Sequence, residues 1–329
     1  IAWFMAGRFN DSLGLWYGDH ALRHYAARRA AGRPTAYDAR MGDMLVYRPA
    51  VPEARVQPPL PVAFRLDDIQ YGIIRSGPGF DCRWTAGFKG SRPPYTHHNQ
   101  ADTGSLFVDL GGERMLVDPG YYKERPADHC LPLVNDKGPC QPRAWTGTII
   151  ACESRGDLRF LACDSTAAYE GAAERVVRHL VMVGDEGLVL LDDIVAGGPV
   201  TAQYQCGGAT SRCGQHSVMI RGRMARLRMD FLGGGAMKVA VHPERSLHDT
   251  HWGYHFADCR LFPVTAAYRP DEMDPLVTVF LDAAQRRPGA CRRVQRGSAL
   301  CVILPSGCCV RFVHDAGGWV FAIPAGTES

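Results

Sequence analysis

No apolar run in this sequence reaches the roughly 18 residues that a membrane-spanning helix needs. The cysteines include no C-x-x-C pair, which argues against a zinc ribbon or a thioredoxin-type site. There is no concentrated basic stripe. The formal net charge is only +3, whereas bulk nucleic-acid binding asks for a dense cationic face. Exact repeats and low-complexity tracts are missing as well. The opening "IAWFMAGRFNDSLGLWYGDH" lacks the basic region and small-residue cleavage site of a signal peptide.

The composition itself is that of an ordinary globular protein, with 329 residues, 46% hydrophobic and 22% charged. Twelve cysteines are scattered along the chain, with one adjacent pair, Cys308-Cys309. Free buried thiols are the plain reading of them, and a few disulfides in an exported protein the alternative. The first residue is Ile1, not Met, and the chain is expected to be a piece of a longer protein.

Residues 1–47 read as helical. "DHALRHYAARRAAG" sets Leu22, Tyr25 and Ala26 at helical spacing, and Gly32-Arg33-Pro34 supplies a stop. Five prolines in "RPAVPEARVQPPLP" make 48–62 a stiff linker. From 63 to 329 the texture is different. Short apolar runs recur between Gly, Pro, Asp and Ser, among them "LRFLAC", "SVMIRG", "KVAVHP", "LVTVFLDA" and "GWVFAIP". That pattern predicts an antiparallel β-sandwich. "PVAFRLDDIQYGIIRSGPG" reads as two short strands around a polar turn. "RHLVMVGDEGLVLLDDI" reads as a hairpin turning at Asp185-Glu186-Gly187.

The chemistry gathers in "YTHHNQADTGSLFVDLGGERMLVDPGYY", Tyr95 to Tyr122. Gly111-Gly112 suits a two-residue primed turn, and that turn sets a register. Leu110 then faces Glu113, Asp109 faces Arg114, Val108 faces Met115, Leu106 faces Val117, and Ser105 faces Asp118. Asp118 lands at the open end, beside segment 98–104. His98, Gln100 and Asp102 alternate, so an extended backbone turns them to one side. His129 follows eleven residues after Asp118. A histidine, a carboxylate and an amide oxygen are donors that zinc accepts, with glutamine the least usual of them. The competing reading is a turn-forming Asp118 and ordinary polar loop histidines. A second cluster, "HDTHWGYHF" from His248 to Phe256, reads either as a sugar-stacking or metal platform or as a polar edge loop.

The order of these landmarks resembles the heparinase II/III-like polysaccharide lyases. A strand pair like "DIQYGIIRSG" comes first, then a loop like "HHNQAD", a strand, a glycine turn and "LVDPG". A histidine opening "HCLPLVNDKGPCQ" comes next, and then a hairpin like "RHLVMVGDEGLVLLDDI". The match is clearest over 64–194 and thins towards Ser329. The resemblance implies an incomplete α/α toroid ahead of the sandwich, with 1–47 as its tail. It implies β-elimination on a uronic-acid-containing acidic glycan, and a periplasmic or secreted location. His98, helped by Asn99, takes the family's catalytic place in the sandwich. Asp118 and His129 match two ligands of a structural zinc near the cleft, and Gln100 stands where zinc-binding members carry a second histidine. Arg83, Lys89, Arg92 and Arg143 are the nearby cations for an anionic polymer. Tyr95 and Tyr122 are the local aromatics of the substrate side. The acid and base tyrosine of these lyases comes from the toroid, so half an active site is expected here. The rival reading is a non-catalytic carbohydrate-binding or structural sandwich.

Overall fold

The computed structural model describes residues 59–79, 81–91, 100–118, 125–140, 147–233, 235–248, 258–284 and 289–322. The helical reading of 1–47, most of the 48–62 linker, and all of the "HDTHWGYHF" cluster but His248 fall outside them.

The described residues are mainly β, in three antiparallel sheets. The largest has ten strands. Its core order is β1 (Ala63–Leu66), β2 (Tyr71–Arg75), β3 (Trp84–Lys89), β4 (Ser105–Leu110), β5 (Glu113–Leu116), β11 (Val200–Cys206), β17 (Asp258–Tyr268) and β15 (Lys238–Val241). Two further strands join it: β6 (Pro132–Val134) on β11, and β16 (Arg245–His248) on β17. The second sheet runs β12 (Ala209–Gly214), β13 (Ser217–Arg221), β14 (Arg226–Leu232), β18 (Leu276–Asp282), β10 (Gly187–Val195), β9 (Arg175–Val183), β8 (Leu158–Asp164) and β7 (Thr148–Arg155). The third is a meander of β19 (Arg292–Arg296), β20 (Ala299–Ile303), β21 (Cys309–Asp315) and β22 (Gly318–Phe321).

The eight-stranded sheet is the middle layer. Leu188, Leu190 and Ile194 of β10 join a core with Trp84, Phe88 and Tyr204 of the ten-stranded sheet. Val189 and Leu191 point the other way, into a second core with Leu300, Phe312 and Trp319. A strand buried on both faces reads as one continuous apolar run, which is why "GLVLLDDIV" shows no alternation. The expected sandwich is present, and a third sheet lies on its outside. The two aspartates of that run divide between the layers. Asp192 meets Arg178 on the first side. Asp193 accepts the Trp319 backbone N–H and pairs with Arg175 on the second.

The turn chemistry follows the sequence, with two differences. Gly111 and Gly112 both have positive φ, as a primed turn requires. Leu110 faces Glu113, and Asp109 pairs with Arg114 at 2.9 Å. A bulge then shifts the ladder, so that Val108 faces Leu116 instead of Met115. Both Met115 and Leu116 are buried in consequence. Beyond the bulge the chain leaves β4 for β11, where Leu116 pairs with Cys206 and the Val117 N–H reaches Gln205. Extra residues of this kind bend and twist a strand. The β9–β10 hairpin turns at 184–186, with Gly187 already paired to Val183. The eleven cysteines whose side chains are described are free thiols.

His179 sits in the second core, stacked on Phe160 at 6.1 Å and edge-on to Phe312. Neither ring nitrogen has a hydrogen-bond partner among the described residues. Burial, and then the Arg175 charge, lower its pKa from 6.5 to about 4, against a smaller opposing pull from Asp164. The folded chain therefore holds fewer protons than the unfolded chain between pH 6.5 and 4. Stability falls as pH drops through that window, by on the order of 3 kcal/mol. Urea titrations of His179→Phe should show a flatter pH dependence there. An unchanged slope would remove His179 as its source.

Candidate functional site

β3 ends at Lys89, directly opposite Tyr71 on one side and Ser105 on the other. The chain returns to the sheet through 100–104, and local bonds fix that return. The Gly104 N–H reaches the Lys89 carbonyl at 2.7 Å, and the Ser105 N–H closes on Asp102 at 2.9 Å. Gly104 adopts φ +82, a conformation natural to glycine. Asp102 is thereby turned inwards and buried, and its carboxylate pairs with the Lys89 ammonium.

The opposite wall comes from the far side of the bulge. Asp118 ends the β5 segment, and its carboxylate lies 3.0 Å from Nδ1 of His129. His129 is fully buried and follows a short 3-10 turn, Pro126–Asp128. Arg125 and Arg245 hold that turn through Asp128. Burial works against ionisation of Asp128, but those two hydrogen bonds outweigh it and keep its pKa low. Gln205 donates to the Ala127 carbonyl at 2.7 Å and braces the turn from β11.

One buried cation joins the two walls. Arg178 is completely buried and donates to Asp192 at 2.7 Å. Its Nη1 donates to the Gly104 carbonyl at 2.9 Å and to the Cys130 carbonyl at 2.8 Å. Its guanidinium also lies over the Phe88 ring. The residue after the Asp102–Thr103 pair and the residue after His129 are therefore fixed by one side chain.

The outcome is a compact set. Asp102, Asp118 and His129 offer ligand atoms all within 4.8 Å of one another. Burial raises the Asp102 pKa despite Lys89, and the neighbouring Asp118 adds to the rise. Tyr71 is raised as well, by burial and then by Asp102 and Asp118, so it remains a neutral phenol. A buried carboxylate whose ionisation is opposed by a neighbouring carboxylate marks a place that favours a cation. One imidazole nitrogen and two carboxylate oxygens suit a divalent ion, and zinc accepts both donor types.

The sequence-predicted residues fare differently. Asp118 and His129 come together as expected, and Asp102 is a second acid at the same place. Gln100 is half-buried at the start of the returning segment and has an interaction partner. Lys89 is present but engaged with Asp102. Arg83 is elsewhere. It lies at the Gly111 turn, the opposite end of the hairpin, and pairs with Asp282 at 2.7 Å. His98, Asn99, Arg92, Tyr95, Tyr122 and Arg143 lie outside the described residues. Tyr71 and Arg178 were missed as site residues. The register Tyr71–Lys89–Ser105 was the only signal for Tyr71, and it needed strand pairing between β2 and β3 to be known.

No protein-family model matches the sequence, and no curated protein matches it. Solved structures do match in fold. A heparinase III with methylated lysines superposes with TM-score 0.63 at 12% identity, covering 89% of this chain and 47% of that one. Another heparinase III crystal structure gives 0.60 at 13%, covering 81% and 43%. The heparan sulfate lyase HepC from Pedobacter heparinus gives 0.62 at 12%, covering 92% and 47%. This chain thus spans about half the length of the structures it matches.

Proposed function

We propose that this chain, which has a heparinase III-like fold, is the sandwich part of a polysaccharide lyase acting on a uronic-acid-containing glycan. The observation that carries the reading is the convergence of Asp102, Asp118 and His129, with Asp102 only three residues after Asn99 in the sequence. The fold likeness, spanning most of the chain, supports it.

The reaction removes the proton on C5, next to the sugar carboxylate, and breaks the C4–oxygen bond. A C4=C5 double bond forms, and the departing oxygen takes up a proton. The difficulty lies in placing further negative charge beside a carboxylate. His98 and Asn99 meet that carboxylate with hydrogen bonds in the proposed site, an effect of the oxyanion-hole kind. Arg92 and Arg143 attract the polymer, and Tyr95 and Tyr122 lie against its sugars. Asp118, His129 and Asp102 would be the ligands of a zinc ion, with Gln100 as an additional oxygen donor. Zinc there would cross-link the two walls and neutralise the carboxylates. A periplasmic or secreted location belongs to the same proposal. Among the described residues no helix is long and apolar enough to cross a membrane.

The test is ultraviolet absorbance of the unsaturated product, with heparan sulfate, heparin and alginate as substrates and the full-length protein as catalyst. His98→Ala is expected to lose roughly 10²–10³-fold in rate, the usual worth of one preorganised donor to developing negative charge. Absence of product from every uronan would overturn the lyase reading.

A further inference from the structure

The outward face of the β19–β22 sheet has no part in the site just described. It lies across the middle layer from the ten-stranded sheet, since β19–β22 packs only on the second core. Strand alternation turns Leu300, Val302, Val310 and Phe312 inwards. Arg292, Arg296 and Arg311 are thereby turned out, and all three are exposed. None of their guanidiniums has an ion-pair or hydrogen-bond partner among the described residues. Arg293, one position along, faces the other way and pairs with Asp274.

The charge balance is local. Between Gly289 and Ala322 the charged side chains are Arg292, Arg293, Arg296, Arg311 and Asp315. That is a surplus of three positive charges, equal to the formal net charge of the whole chain. The single acid, Asp315, accepts the Gly317 backbone N–H. Edge strands commonly carry cations to prevent strand pairing, and β19 is an edge. That explanation does not reach Arg311, because β21 lies inside the meander between β20 and β22.

The register sets the geometry. Val294, Cys301 and Arg311 form one row across three strands. Arg311 therefore stands level with the midpoint between Arg292 and Arg296, two strands away. The three cations make a triangle roughly 12–13 Å on a side at ordinary strand spacings. Val294 and Val320 leave apolar surface exposed on the same face.

We infer that this face is a second binding site for the acidic glycan, separate from the reaction site, that holds the polymer while another stretch of it reacts. The inference rests on the lyase reading for the identity of the polymer. Planar guanidiniums bind carboxylate and other oxyanion groups through paired hydrogen bonds. Exposed valines suit the apolar faces of sugar rings. Nucleic acid fits less well, because single strands bind on exposed aromatic platforms. Here Phe312 and Trp319 are turned inwards and buried.

Retention of the whole chain on immobilised heparin and on alginate tests the site without requiring turnover. The variant Arg292→Gln/Arg296→Gln/Arg311→Gln is expected to lose about tenfold in affinity. The charge-matched control Arg223→Gln/Arg226→Gln/Arg269→Gln, at exposed arginines elsewhere, should bind like the wild type. Equal loss in both overturns the site, since the effect would then be bulk charge. A triple variant that binds both glycans normally also overturns it. So does equal retention of the wild type on single-stranded DNA, or a wild-type dimer in sedimentation that the triple variant disrupts. Loss of retention without product from any uronan would overturn the lyase reading alone, and product with unchanged retention would overturn only this site. If the triple variant unfolds early in a thermal melt, Arg311→Gln alone serves, and it must still weaken binding.

Discussion

Arg178→Met should lower the unfolding free energy by about 3–5 kcal/mol, the usual result of removing one partner of a buried ion pair. Asp192 would be left buried and charged, and two carbonyls, of Gly104 and Cys130, would lose a donor. The methionine fills much of the volume, so the loss is electrostatic and not a cavity effect. Because whole domains are stable by only about 5–15 kcal/mol, a fall of this size moves the urea midpoint far down. Combining the substitution with Asp192→Leu should recover part of the loss, since the stranded charge disappears. Fast exchange of the amides around Gly104 and Cys130 should accompany the single substitution, because those carbonyls anchor both walls of the site. A midpoint shift worth less than about 1 kcal/mol would show that Arg178 is not the joint we describe.

Lys89→Met is expected to act in two opposite directions. Asp102 keeps its burial and loses the Lys89 ammonium, its charged hydrogen-bond donor among the described residues. Without metal the variant should be less stable by about 1.5–3 kcal/mol, the worth of a charge-assisted hydrogen bond. With zinc the sign reverses, because the ammonium and the metal compete for the same carboxylate. The variant should bind zinc more tightly than the wild type, read by titration against a chelator and by the rise in melting temperature. Asp118→Ala should abolish that rise. If Lys89→Met gains no affinity, or purified wild type carries no metal and takes none up, the zinc proposal falls.

The strands that could be read in the sequence were those with turn chemistry at their ends. Gly111-Gly112 announced its hairpin because only a positive-φ pair makes that turn. β17 was not legible, because Pro263 interrupts it. Proline cannot donate to a ladder, yet Pro263 falls in the gap where β16 stops and β15 begins to pair. The bulge at Met115 was invisible for a different reason: Met115 and Leu116 are both apolar, so either register looks correct. The third sheet was hidden because its strands look like those of any sandwich, and only the two-faced burial of β10 shows where they pack. At the site, His129 and Asp118 were found through their order along the chain. The engagement of Lys89 and the place of Arg83 were not, since both depend on partners far away in sequence.

The adjacent acids of β10 also answer a problem of alignment. β9 and β10 are apolar on both faces, so hydrophobicity alone leaves their pairing nearly degenerate. A slip of one residue in a strand exchanges its two faces. Asp192 would then face the phenylalanine-lined second core, and Asp193 would stand where Arg178 expects its partner one residue earlier. The hairpin therefore carries an address written in charge. Two neighbouring carboxylates, each with its own arginine in a different layer, leave one alignment in which both are satisfied.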